Sequence, residues 1–299
     1  MANFFNKIVI ISGATASGKS KLAIDFAIKK NGVIINADAL QQYRDLKILS
    51  AIPSKEMQQK ILHRLYGYLD FDCQSNVALW LENVQREIKN CWQNYQLPIV
   101  VGGTGFYLRV LIDGINYIPS ILPQIKKQAQ DQLAEFGYSE FKRRYGDNKI
   151  IDKQRLIRAC EVLLQTQKPL KYWQSQPKQK IFPDANFVHL NLAIDRKIIY
   201  QNCNQRFDNM LKSGAIEEVE ALLKKNIDLT MPITKTLGFV DIEQFLTKKI
   251  SYQQMQENVK QKTRNYAKRQ ITWFKHQFRE INFFSEDQLA LKFLEETLN

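Results

Sequence analysis

Along the first third of the chain, short unbroken apolar runs alternate with stretches of helical periodicity. The runs "KIVIIS" (7–12), "GVIINADA" (32–39) and "LPIVVGGTG" (97–105) are too short and too β-branched for buried helices and predict strands. Residues 19–30 and 76–95, between them, predict amphipathic helices. Strand–helix alternation implies a parallel sheet with helices on both faces, and in such sheets ligands sit beyond the carboxyl ends of the strands. From Pro119 the pattern turns helical, with Leu156, Cys160, Leu163 and Leu164 as an apolar stripe; the loop 174–186 closes it and "FVHLNL" (187–192) returns to strand. The remainder is mostly helical. Residues 252–278 place Met255, Val259, Tyr266 and Phe274 on a core-facing side and Lys260, Arg264 and Lys268 together on another.

Composition adds little to this picture except through charge. The 299 residues are 44% hydrophobic, and no apolar run approaches the ~18 residues of a membrane span. The amino-terminal "MANFFNKIVIISG" reads as the first core strand and not as a signal peptide, so a cytoplasmic, membrane-free protein is expected. Cys73, Cys91, Cys160 and Cys203 are widely spaced with no C-x-x-C pair, which argues against a zinc finger or a disulfide framework. Forty-three Lys plus Arg against 30 Asp plus Glu give a net charge of +13, an attraction for polyanions, nucleic acid first among them. Like charges four residues apart, as in Lys260, Arg264 and Lys268, repel unless a polyanion lies along them.

The chemistry starts at "GATASGKS", which fits G-x-x-x-x-G-K-[ST] with Gly13, Gly18, Lys19 and Ser20 in the fixed places of a P-loop. Its glycines let backbone N–H groups turn onto an anion, the following helix adds a positive N-terminus, Lys19 adds full charge, and Ser20 can ligate Mg²⁺. The motif reads as polyphosphate binding and does not by itself specify ATP. The flanking strand and helix give the expected fold class: α/β, a P-loop NTPase-like parallel sheet core flanked by helices (1–117 and 185–299), with an all-helical insertion domain (118–184). Asp38 and Thr104 end the second and third strands, so both should meet the P-loop in one crevice. An Asp after a strand is otherwise commonly a cap or turn residue. Arg206, mid-helix among Cys203, Phe207 and Met210, reads from the pattern alone as a possible salt-bridge partner.

In collinear order, "NADALQQYRDLKILSAIPS", "HRLYG", "VGGTGFYLRVLIDG", "KQRLIRACEV", "QRFDNMLKSGAIEEV", "TKTLGF" and "KTRNYAKRQITWF" follow the P-loop, and with it they resemble the tRNA dimethylallyltransferases over nearly the whole chain. The resemblance implies transfer of a five-carbon allylic group from dimethylallyl diphosphate to N6 of the adenine 3′ of the anticodon, with release of diphosphate and Mg²⁺ as cofactor. It makes Gly13, Ala14, Thr15, Ala16, Ser17, Gly18, Lys19 and Ser20 the diphosphate cradle, Asp38 the base, and Thr104 and Arg206 further catalytic residues. It implies tRNA contacts at Asp38, Ala39, Leu40, Gln41 and Thr104, at Gln154, Arg155, Leu156, Ile157 and Arg158 of the insertion, and at Lys126, Lys235, Arg264, Lys268 and Arg269. The expected partner is a tRNA anticodon stem-loop, bound by a monomer.

The chain departs from the family pattern at Ala39 (usually Ser), at Leu49 (usually Gly), at Asn202 (usually Arg) and at Val240, where "GYR" is Gly238-Phe239-Val240. A hydroxyl and two cationic side chains are thereby missing, which weakens the expected tRNA contacts. Three other readings fit parts of the pattern: an ATP-dependent nucleotide or small-metabolite kinase with Asp38 as base or Mg²⁺ ligand, a prenyltransferase acting on free adenine nucleotides, and a non-catalytic RNA-binding protein.

Overall fold

The computed structural model describes residues 4–146, 152–278 and 281–298; residues 147–151 of the expected insertion lie outside them. Two compact units divide the chain, one formed by Met1–Ile112 with Phe182–Asn299 and the other by Asp113–Ile181.

In the first unit the chain runs β1 (Lys7–Gly13), α1 (Lys19–Lys29), β2 (Gly32–Asn36), α2 (Lys55–Lys60), β3 (His63–Arg64), α3 (Val77–Gln93), β4 (Leu97–Gly102) and α4 (Gly105–Asp113). The second unit holds β5 (Ile115–Asn116), α5 (Pro123–Tyr145), α6 (Lys153–Thr166), α7 (Leu170–Gln174) and β6 (Lys178–Gln179). The chain then returns with β7 (Asn186–Leu192), α8 (Arg196–Lys212), α9 (Ala215–Leu223), a 3₁₀ turn at Pro232–Lys235, α10 (Phe239–Leu246), α11 (Tyr252–Gln277), β8 (Asn282–Phe284) and α12 (Asp287–Thr297).

Six strands form one parallel sheet in the order β3-β2-β4-β1-β7-β8. The predicted strand at 187–192 is β7; it pairs with β1 in a register that sets Gly13 beside Leu192. Every residue of β2 and β4 is buried, as expected when helices cover both faces. On one face Val9, Ile11, Ile34, Ile99 and Leu190 pack with Leu22, Ala23 and Phe26 of α1 and with Ala290 and Leu294 of α12. Near the carboxyl end of β2, the Trp80 indole N–H donates to the Asn36 carbonyl (2.8 Å) and its ring stacks on Tyr107. A second apolar cluster, including Tyr43, Leu49, Phe207, Val219, Phe239, Met255 and Val259, binds the helical carboxyl half together.

Among its described residues the second unit is helical apart from one two-residue antiparallel ladder, Ile115 opposite Gln179 and Asn116 opposite Lys178, near its two ends. Its core is Ala129 and Phe141 of α5 against Leu156 and Cys160 of α6. Gly137, at φ 70, breaks α5 into two stretches. The compact unit is Asp113–Ile181, where the sequence suggested 118–184.

Candidate functional site

The P-loop leaves β1 at Gly13 and enters α1 at Lys19. A Cβ on Gly13 would lie 2.8 Å from Ser17 Oγ and 3.0 Å from the Leu192 carbonyl oxygen, so only glycine lets the loop turn back over β7. Gly18 sits at φ 91 as the residue that starts the helix. Ser17 Oγ is buried with no hydrogen-bond partner, a hydroxyl that a phosphate oxygen can satisfy. Ser20 is exposed at the helix start.

Two cations stand at this loop. Lys19 Nζ donates to the Ala14 carbonyl (3.2 Å), and burial, helped by the positive charge of Arg206, pulls its pKa down to about 8. The α8 residue Arg206 donates from Nη1 to Thr15 Oγ1 (3.2 Å); burial lowers its pKa, opposed by the charge of Asp38, and a guanidinium remains charged regardless. Asn202, one turn earlier, donates to the Ala16 carbonyl (3.1 Å), so an amide stands where the resemblance led to the expectation of an arginine.

Asp38 follows β2. Its N–H donates to Asn36 Oδ1 (2.9 Å) and its Oδ1 accepts the N–H of Leu40 (3.0 Å), a turn that fixes the carboxylate and leaves Oδ2 for other work. Thr104 follows β4, and its Oγ1 accepts the Ala39 N–H (3.2 Å). The two strand ends approach so closely that a Cβ on Gly102 would overlap the Ala37 carbonyl. The negative charge of Asp38 acts on Lys19 and Arg206. It also acts on Tyr66 and Tyr266, whose pKa values burial has already raised. The P-loop, Asp38 and Thr104, predicted to converge, thus form one constellation with Arg206.

Beside the loop opens a cavity of about 910 Å³, whose lining includes Ala16, Ser17, Gly18 and Arg206, the apolar Ile48, Ala51, Ile52 and Pro53, and the polar Lys55, Gln58, Asn202 and Asn209. A lining that mixes cationic, hydrogen-bonding and apolar groups suits an amphipathic anion. Glu218 of α9 accepts the N–H groups of Ile48 (2.9 Å) and Leu49 (3.0 Å) and so holds the far wall in place.

The expected tRNA contacts fall into two sets, those engaged within the protein and those exposed. Gln41 donates to the carbonyls of Ser50 (3.0 Å) and Ala51 (2.8 Å), so its amide nitrogen is committed to its own chain. Leu156 is fully buried in the core of the second unit and has no surface to offer; Ile157 packs against that core, and Arg158 pairs with Glu161 (3.2 Å). Lys126, Gln154, Arg155 and Lys235 are exposed. On α11 the expected basic face is split: Lys260 pairs with Asp208 (2.6 Å) and Arg264 donates to Asn204 (2.6 Å) and Gln261 (2.6 Å), while Lys268 and Arg269 stay exposed. The buried side of that helix carries Ala267 and Gln270 in addition to Met255, Val259 and Phe274. Gln270 and Tyr66 lie at the site although the pattern did not single them out, and Tyr266, read from the pattern as core-facing, lies near enough to Asp38 to feel its charge.

A P-loop at the end of β1, two cations at it, and a carboxylate and a threonine on the neighbouring strand ends give a P-loop α/β protein with an anion-binding crevice. The chain matches the IPP transferase family over residues 41–277 and the isopentenyl transferase family over residues 6–72. It belongs to the IPP transferase family. Among its relatives, a tRNA dimethylallyltransferase of Zymomonas mobilis is 39% identical over 299 residues, covering 96% of each chain, and one of Ehrlichia chaffeensis is 39% identical over 293 residues, covering 95% of this chain and 96% of that one. Among solved structures, a tRNA delta(2)-isopentenylpyrophosphate transferase of Staphylococcus epidermidis superposes with a TM-score of 0.71 at 27% identity over 98% of both chains. A eukaryotic dimethylallyltransferase acting on tRNA shares the fold, with a TM-score of 0.77 at 24% identity over 98% of this chain and 79% of that one.

Proposed function

We propose that this protein is a tRNA dimethylallyltransferase, which moves the dimethylallyl group of dimethylallyl diphosphate onto N6 of the adenine 3′-adjacent to the anticodon. The observation that carries the reading is the charge layout: Lys19 and Arg206 at the phosphate loop, with the Asp38 carboxylate near enough to act electrostatically on both. As the N6–C1 bond forms, the C1–O bond to the diphosphate breaks and its electron pair leaves with the oxygen; the N6 proton passes to Asp38. The amine's lone pair is delocalised into the ring, so a base on its N–H assists as the bond forms. The leaving diphosphate gains charge in the transition state, where the loop amides, Lys19 and Arg206 act most strongly. Thr104, bonded to the Ala39 N–H, fixes the wall on which Asp38 stands.

Among the described residues no cluster of three or more His, Cys, Asp or Glu could hold a metal on its own. The single Ser20 hydroxyl therefore suits an ion held mainly by diphosphate oxygens and water, which is the habit of Mg²⁺. When bound, Mg²⁺ supplies neutralisation of the leaving diphosphate.

The net charge of +13 suits a tRNA anticodon stem-loop as partner, approached by a monomer in the cytoplasm. No helix among the described residues is long and apolar enough to cross a membrane. The adenine has to leave its stack to reach Asp38. The test is incubation with Mg²⁺, labelled dimethylallyl diphosphate and unmodified tRNA, followed by nucleoside analysis. Label on N6 of that adenine, absent with Asp38→Ala, is the expected result; ATP hydrolysis or phosphorylation of a small acceptor without prenyl transfer would replace this reading by a kinase.

A further inference from the structure

Gln270 lies on the buried side of α11, 6% exposed, and its amide spans two segments that the chain places far apart. Its Oε1 accepts the backbone N–H of Thr15 in the P-loop (2.8 Å), and its Nε2 donates to the Gly103 carbonyl at the end of β4 (2.9 Å). Both ends of the amide are used, and both partners border catalytic positions. Thr15 also receives Arg206 on its hydroxyl (3.2 Å), and Gly103 precedes Thr104.

The neighbourhood is cut to fit this side chain. A Cβ on Gly103 would overlap Gln270 Nε2, and a Cβ on Gly105 would overlap the Trp273 ring one turn further along α11. The two glycines therefore admit α11 against the 103–105 segment. The Thr15 N–H is committed to Gln270 and so fixes where the loop begins its turn.

We propose that Gln270 is a positioning residue that sets the spacing between the phosphate loop and the strand end carrying Thr104, and thereby the distance over which the allylic carbon meets the adenine. This rests on the function proposed above. Without the amide, the Thr15 N–H loses its acceptor and Arg206 loses the fixed hydroxyl it leans on. A part-buried backbone donor left unpaired costs enough to shift an equilibrium up to about tenfold, and a small misplacement of reacting groups costs a comparable factor or more in rate.

The experiment compares wild type, Gln270→Leu and Gln270→Glu in the full chain, by calorimetric binding of inorganic pyrophosphate and by steady-state transfer to tRNA across pH. Gln270→Leu should bind pyrophosphate about tenfold more weakly and lose about tenfold in kcat, with KM for tRNA within about twofold of wild type. Gln270→Glu keeps the acceptor for Thr15 but loses the donor to Gly103. A protonated carboxyl restores that donor, so its deficit should shrink as pH falls from about 8 to about 6. Thermal unfolding checks folding, and if Gln270→Leu does not fold, Gln270→Glu decides. Unchanged or tighter pyrophosphate binding by Gln270→Leu, or a Gln270→Glu pH profile parallel to wild type, overturns the proposal. If wild type binds pyrophosphate but transfers no prenyl group, the reading of function fails, and the binding comparison still decides the role of Gln270.

Discussion

Lys19 should take up a proton when a diphosphate binds. In the protein alone burial and the neighbouring Arg206 bring its pKa from 10.5 to about 8. A diphosphate removes the cause, since its oxygens replace lost water and its charge offsets Arg206, so the bound-state pKa returns to at least the ordinary ~10.5. At pH 9 the free ammonium is then only about a tenth protonated and the bound one almost fully, an uptake of about 0.9 proton, whereas at pH 7 the uptake falls to about 0.1. The linked free energy over the whole span is about 3 kcal/mol. The unfolded chain holds this proton up to the ordinary Lys value and the folded protein alone only to about 8. The folded protein therefore gains stability as pH rises through that window, and the diphosphate complex loses affinity over it. The assay is calorimetry of a non-transferable diphosphate ester in buffers of different ionisation enthalpy. The ester's own last ionisation, near ~6 for a phosphate ester, is complete by then. Lys19→Met supplies the baseline. An uptake at pH 9 no larger than in Lys19→Met would refute the assignment of Lys19 as the cation that receives the diphosphate.

Three more outcomes follow from particular contacts. Lys268→Ala should lower the salt slope of tRNA binding by about one, whereas Lys260→Ala, whose cation is already paired with Asp208 at 2.6 Å, should leave it unchanged; equal slopes for the two would show that the ion pair does not persist in solution. Gly102→Ala forces a Cβ into the Ala37 carbonyl and should destabilise the protein by about 2 kcal/mol in chemical denaturation; a smaller loss than for an exposed helical site would mean the strand ends can part. Glu218→Ala releases the N–H groups of Ile48 and Leu49, so KM for the diphosphate should rise severalfold with KM for tRNA unchanged, and an unaltered diphosphate KM would mean the 47–53 wall holds itself.

The pattern of short apolar runs made the parallel sheet readable because each run is buried on both faces and leads into a helix. The P-loop was readable because its backbone geometry admits few residues, and Asp38 and Thr104 were found by topology: both sit where strands end on the same side. The sequence is silent where side-chain direction decides. Gln41, Leu156, Lys260 and Arg264 match family positions or share a face, yet Leu156 turns inward, and the other three are engaged by Ser50 and Ala51, Asp208, and Asn204. A four-residue spacing fixes a helix face but not which neighbour that face meets. Gln270 escaped for the converse reason, because a polar residue amid charged ones reads as solvent-facing until the 103–105 segment is seen to make room for it.

The departures become intelligible once each contact is sorted into backbone or side chain. Ala39 meets Thr104 through its N–H, a bond any residue but proline supplies, so a missing hydroxyl leaves the wall intact. Leu49 fills the apolar cluster beside Phe239 and Val259, within reach of Gly238, so its added bulk is absorbed by packing. Asn202 alters the electrostatics: it ties down Ala16 with an amide and leaves Lys19 and Arg206 as the cations that face Asp38. In the proposed reaction the diphosphate then takes over from Asp38 as the counter-charge to both. The transfer moves charge at both ends: the N6 proton neutralises Asp38, while the charge that builds on the diphosphate is met by the loop amides, Lys19 and Arg206.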